Sequence, residues 1–294
     1  LPIYIYYSMF GFQRIGDLIW AAADQRSRGF LFGATAGRTT LSGEGLQHQD
    51  GSSHLMATTV PNCRAYDPCF AYELAIIIEY GIKRMVDEKV DEFFYITVMN
   101  ENYAHPSLPA EKNDDIIRGL YHLKTLGDQS APAIRLLGSG TILQQVIEAA
   151  ELLTKHFNVC CHVFSVTSYS ELARDAQSCE RDKRLFATTS IPHVTHHLHG
   201  TDPVVCATDY VRAVPAQIAP YLHAPFYILG TDGFGRSANR SALREFFEVD
   251  AKHIALSAIS AFIESGALSE ANRAEALDRF GLQTADHRQA PWTC

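Results

Sequence analysis

Ala133-Ile-Arg-Leu-Leu-Gly-Ser-Gly-Thr141 runs directly into Ile142-Leu-Gln-Gln-Val-Ile-Glu-Ala-Ala-Glu-Leu-Leu-Thr-Lys155. The first run is a short apolar block ending on glycines, the pattern of a buried strand and its turn. The second places apolar residues three and four positions apart, which is the period of an amphipathic helix. Another apolar block follows at 160–166, and Thr167-Ser168 then opens a helix near residue 170. Strands alternating with helices predict a largely parallel sheet covered on both faces. Towards the C-terminus, 204–207 and 226–229 complete the strands, and 241–280 reads as mostly helical with Gly266 as a stop.

The same alternation extends towards the N-terminus. Leu1-Pro-Ile-Tyr-Ile-Tyr-Tyr7 reads as a buried strand, since aromatic and β-branched residues dominate it. A helix is expected at 12–26, with Ile15, Leu18, Ile19 and Ala22 on one face. Strands at 62–67 and 93–99 flank a helix near 69–83 that Pro68 opens. Residues 104–114 have the composition of a linker. The chain therefore divides into two α/β units, 1–108 and 109–294. It contains no internal repeat or low-complexity tract.

Composition narrows the function. The 294 residues carry 25 Lys+Arg against 33 Asp+Glu, a net charge of −8. That balance argues against a nucleic-acid partner, whose phosphates require clustered cations. No apolar run reaches the roughly 20 residues that span a bilayer. Seven cysteines without a CxxC pair read as reduced, buried thiols of a cytosolic protein. The opening residue is Leu rather than Met, and a strand begins at once without a signal-peptide pattern. The expectation is a piece of a longer chain.

Several motifs compete for attention. Residues 33–54 form a long polar loop rich in glycine, and His48 lies in it beside Glu44, Gln47, Asp50 and His54. Loops of this length inside a domain are usually functional, although a loop histidine is also commonly just solvated. Tyr4, Tyr6, Tyr7, Phe10 and Phe12 cluster at a strand-to-helix junction. They suit a core, or a platform for a flat heteroaromatic ring. Gly138-Ser-Gly140 and the glycine-rich turn 230–236 could face an anion or simply turn the chain tightly. The dense set His193, His196, His197 and His199 lies between elements, with no carboxylate partner or HExxH spacing in view. It reads as a surface loop, and no metal ligand is assigned. Neither a GxxxxGK[ST] nor a GxSxG motif is present.

Four stretches, in order, carry a resemblance. They are Tyr6-Tyr-Ser-Met-Phe-Gly-Phe-Gln-Arg-Ile-Gly-Asp17, Ala36-Gly-Arg-Thr-Thr-Leu-Ser-Gly-Glu-Gly-Leu-Gln-His48, Met99-Asn-Glu-Asn-Tyr103 and Leu229-Gly-Thr-Asp-Gly-Phe-Gly-Arg-Ser237. Together they resemble the homodimeric type of pyruvate dehydrogenase decarboxylase component, over essentially the whole chain. The resemblance implies a transketolase-like fold: the later part of a pyrimidine-binding domain at 1–108, then a transketolase C-terminal-type domain at 109–294. It also implies thiamine diphosphate and magnesium as cofactors, pyruvate as substrate and a lipoyl-bearing dihydrolipoyl acetyltransferase component as partner. A bacterial, cytoplasmic homodimer without nucleic acid or membrane is expected.

Residue by residue, Phe10 matches the family's ring stacked on the aminopyrimidine, and Tyr7 a neighbouring active-site tyrosine. His48 matches the histidine that reaches cofactor and substrate, and Arg14 falls close to the same wall. His48 and Tyr7 are thus the expected catalytic residues, and Phe10, Tyr7 and Arg14 the expected cofactor contacts. The family's activating glutamate, its GDG…NN diphosphate motif and its docking segment have no counterpart here. Gly230-Thr-Asp-Gly233 matches that motif only superficially. The chain is therefore expected to supply one wall of the cleft. On its own it reads as a non-catalytic module, and its parent as a pyruvate dehydrogenase or another transketolase-like enzyme.

Overall fold

The computed structural model describes residues 1–282 and 290–293. Apolar runs of four to six residues build a first sheet from β1 (Ile3–Tyr6), β2 (Phe30–Ala34), β3 (Cys63–Tyr66) and β4 (Phe93–Val98). Its strand order is β1-β2-β4-β3, and every pairing is parallel. Parallel neighbours need crossovers. Here they are α1 (Phe12–Asp24), the long loop with α2 (Ser53–Ala57), and α3 (Ala71–Ile82) with a π-helical turn at Lys83–Asp87. Glu73 closes the start of α3 by accepting from the Cys69 and Phe70 amides at 2.6 and 3.0 Å. The acidic residue opens this helix, and Pro68 stands outside it.

Residues 99–112 carry neither helix nor strand. A second sheet follows: β5 (Leu120–Leu126), β6 (Ala133–Gly138), β7 (Cys160–Val166), β8 (Val204–Ala207) and β9 (Phe226–Leu229), in the order β5-β7-β6-β8-β9. Around it pack α5 (Ile142–Phe157), α6 (Tyr169–Phe186), the short α8 (Ala213–Ala216), α9 (Arg240–Phe246), α10 (Ala251–Glu264) and α11 (Glu270–Phe280). Ile134, Leu136, Val146, Leu153, Val163, Val205, Ile254 and Ile259 form a continuous core with at most 1% exposure.

Three features differ from the pattern reading. β1 is a strand, but it lies at the sheet edge with Ile3, Tyr4 and Ile5 exposed, because residue type sets strand propensity and not place in the sheet. β5 is an additional strand, antiparallel to β7. It follows α4 (Asn113–Arg118) through the single residue Gly119, whose φ of +105° and approach of 2.4 Å between an added Cβ and the Ser168 carbonyl admit only glycine. Finally, 193–199 is no surface loop. His193–His197 is a short helix, α7, His193 is buried, and Asp115 supplies a carboxylate 3.5 Å from His197 Nε2.

The two sheets meet along a buried polar seam. Asp67, at the end of β3, donates its amide to the Thr167 carbonyl and accepts from the Gly140 amide. Its carboxylate accepts from Thr97 Oγ1 at 2.6 Å, and His54 Nε2 lies 2.8 Å from that hydroxyl. Burial pushes Asp67 up to about 7 and His54 down to about 4, so both favour their neutral forms. In the Gly138-Ser-Gly140 turn, the Gly140 amide is thus taken up by the Asp67 carbonyl of the seam. Cys63, Cys69, Cys160, Cys161 and Cys206 are buried free thiols and Cys179 a half-buried one, while Cys294 lies outside the described residues.

Candidate active site

Beyond β1 the chain makes one 3-10 turn, Ser8–Phe10, before α1 begins. The Phe10 amide donates to the Tyr7 carbonyl at 2.8 Å, which turns both rings towards the same side. Gly11 lets the turn sit against the strand, since a Cβ there would come within 2.2 Å of the Tyr6 ring. Tyr7 and Phe10 remain 43% and 36% exposed, so the platform has an open face.

His48 comes to this platform from the long loop. Its ring centroid lies 5.3 Å from Tyr7 and 5.2 Å from Phe10, with tilted or edge-on geometry. The Tyr7 and Phe10 centroids are 6.0 Å apart, and Arg14 Cζ lies 5.7 Å from the Phe10 ring on the next turn. All four expected residues therefore meet. Buried His48 Nδ1 lies 3.4 Å from Glu44 Oε2 but has no hydrogen-bond partner. An imidazole ring beside exposed aromatic faces is suited to a flat ligand carrying a polar edge.

What holds this loop came less easily from sequence. Thr39 and Thr40 donate four hydrogen bonds of 2.6–3.1 Å to the Asp209 carboxylate, which follows β8 in the second unit. Burial pushes Asp209 up, and the donors from Thr40 and Thr39 with the Arg244 charge oppose that. Next to His48, Gln49 Nε2 donates to the carbonyls of Leu41 and Arg236, and its Oε1 accepts from the Arg236 amide. Arg38 donates to the carbonyls of Thr231 and Gly233. The glycine-rich turn after β9 therefore works as a bracket for the His48 loop, not as a phosphate cradle. At the other side, Asp50 accepts from Gln13 of α1 and from the Ser52 and Ser53 amides. A signal for these supports existed only in the paired polar motifs 36–48 and 229–237.

Comparison with known proteins fits this arrangement. Residues 1–106 match the family described as pyruvate dehydrogenase E1 component middle domain. The chain is 50% identical over 286 residues to the pyruvate dehydrogenase E1 component of Cupriavidus necator, and 48% identical to that of Escherichia coli. Over nearly its whole length the chain is similar to pyruvate dehydrogenase E1 components. In each case the similarity covers 96% of this chain and 32% of the relative, so the chain spans about a third of the length of these E1 components. Residues 119–250 match the transketolase-like C-terminal domain family. Among solved structures, transketolase from Pichia stipitis is similar, with a TM-score of 0.67 at 16% identity over 90% of this chain and 34% of that one. At that identity the likeness shows the transketolase-like α/β fold alone. Among the described residues, no helix of this chain is long and apolar enough to cross a membrane.

Proposed function

We propose that the parent of this chain carries out oxidative decarboxylation of pyruvate and passes the acetyl group to lipoyl groups of an acyltransferase component. On this reading, residues 1–294 supply one wall of the cleft. The observation that carries it is the meeting of Tyr7, Phe10 and His48 at 5.2–6.0 Å around an open face, in a chain half identical to E1 components.

Thiamine diphosphate, when bound, supplies a carbon nucleophile and an electron sink for loss of carbon dioxide. The chain's own residues would hold its flat head. Phe10 offers an exposed ring face for stacking, and Tyr7 flanks it. The His48 imidazole, with Glu44 Oε2 3.4 Å behind its Nδ1, can orient a carboxylate or move a proton at the substrate. Arg14 backs the Phe10 ring with a cation. Magnesium demands an oxygen-rich octahedral set. Among the described residues, the cluster of metal-ligating groups is Asp115, His193 and His197, which is imidazole-rich, so magnesium and the diphosphate are assigned to residues outside this chain. A homodimer in which a second subunit completes the cleft follows from that division, and the buried free thiols agree with a cytoplasmic setting.

His48→Ala in the full-length parent, assayed with thiamine diphosphate, magnesium, pyruvate and an electron acceptor, should lower turnover by about 10²–10⁴-fold with unchanged circular dichroism. An unchanged rate would return His48 to a solvated loop position. Faster turnover of a ketose phosphate than of pyruvate would favour a transketolase-type activity instead. A second reading, that residues 1–294 alone form a non-catalytic module, rests on the one-sided exposure of Tyr7 and Phe10. Calorimetry of residues 1–294 with thiamine diphosphate and magnesium should then give no heat, and micromolar binding would contradict it.

A further inference from the structure

We propose that Asp115, His193 and His197 form a binding site for a zinc-type divalent cation. The site shares no residue with the Tyr7–Phe10–His48 face and does not depend on the reaction assigned there. Its ligands come from two elements. His193 and His197 are four residues apart on α7 and therefore project from one side of it, with ring centroids 4.4 Å apart. Asp115 stands on α4 and turns Oδ1 towards both rings, 3.8 Å from His193 Nε2 and 3.5 Å from His197 Nε2. One ligand atom from each of the three residues lies within 4.8 Å of the other two.

These separations suit a cation. Donors on a tetrahedral zinc, with bonds of about 2.0–2.2 Å, stand roughly 3.3–3.6 Å apart. The Asp115–His197 distance of 3.5 Å falls within that span, and the Asp115–His193 distance of 3.8 Å lies just beyond it. Two imidazoles and one carboxylate are also the donor types that zinc and cobalt(II) take, leaving one position open. Calcium and magnesium, which prefer all-oxygen sets, fit it poorly.

The surroundings already hold the ligands in place. Lys112 Nζ occupies the other oxygen of Asp115 at 3.0 Å, which aims Oδ1 at the rings. Asp175 Oδ2 accepts the His193 amide at 2.7 Å and anchors the start of α7. Arg118 pairs with Asp175 at 3.2 Å and holds that carboxylate where it meets the start of α7. His193 Nε2 lies 2.9 Å from the Leu120 carbonyl. Ligation through that nitrogen moves the ring proton to Nδ1 and exchanges one hydrogen bond for one metal bond. A bound cation would pin α4, which directly follows the inter-sheet segment, to α7.

Titration of residues 1–294 with cobalt(II) tests this. The expected result is saturable uptake of one equivalent, with visible ligand-field bands, no sulfur charge-transfer band, and displacement by zinc. His197→Gln and Asp115→Asn, both at partly exposed positions, should weaken uptake at least tenfold with unchanged circular dichroism. His48→Ala should leave it intact. No saturable uptake, or equal uptake by all variants, would overturn the proposal. Should a variant fail to fold, zinc-dependent elevation of the wild-type Tm decides. A rise that saturates at one equivalent supports the site, and no rise refutes it.

Discussion

The two sheets are built alike and finished differently. In the second, β6, β7 and β8 lie between other strands and under helices, and Leu136, Val163, Val205 and Cys206 have at most 1% exposure. In the first, β1 has one neighbour, Ile3 and Ile5 are 63% and 66% exposed, and Leu18 and Trp20 of α1 stand out to solvent. An apolar groove of about 270 Å³ runs between them, lined in part by Tyr4, Ile15, Leu18 and Phe30. The difference teaches that the second unit owes its stability to its own core, while the first presents apolar surface of the kind that marks an interaction face.

The sharpest way to break the comparison is a pair of truncations. Leu153→Ala in the second core should cost about 2–5 kcal/mol, whereas Ile5→Thr on the open edge should stay within about 0.5 kcal/mol. Urea unfolding of both variants measures this, and equal losses would show that the edge is as tightly held as the core.

The seam between the sheets gives an intermediate effect with a pH signature. Asp67, raised to about 7, contributes stability that is complete below about 4 and is lost as pH rises through 7. His54, lowered to about 4, contributes stability present above about 6.5 and lost as pH falls towards 4. Asp67→Asn should therefore remove the decline between pH 4 and 7 and gain up to a few kcal/mol above pH 7, with the His54 limb kept. Parallel curves for variant and wild type would show that Asp67 ionises without penalty.

A more local effect is expected of Gly11→Ala. The methyl group meets the movable end of the Tyr6 ring, so the cost should be about 1–3 kcal/mol. Its larger consequence should be displacement of the turn that carries Phe10, seen as weaker thiamine diphosphate binding by the assembled parent. Binding as tight as wild type would show that the turn tolerates the shift.

Much of the architecture was readable from local pattern. Residues 142–155 and 160–166 carry their periods openly, and Ser168 caps α6 by accepting the Glu171 amide, as the Thr167-Ser168 pair suggests. β5 was not readable, because Leu-Tyr-His-Leu-Lys-Thr-Leu mixes polar residues into an edge strand and breaks its register between His122 and Lys124. The exposure of β1 and the carboxylate beside His197 were equally hidden, since both depend on which distant segments come together. For the candidate site, the Tyr7–Phe10 turn is local and follows from sequence. The placing of His48 is not local, because Gln49 finds its partners at Arg236, 187 positions away.

That long-range clasp bears on how such proteins can be recombined. A chimera joining the first unit of one relative to the second unit of another would inherit a loop from one parent and its fastening from the other. Unless the 229–237 segment travelled with the first unit, the graft could fold well and still leave its imidazole adrift.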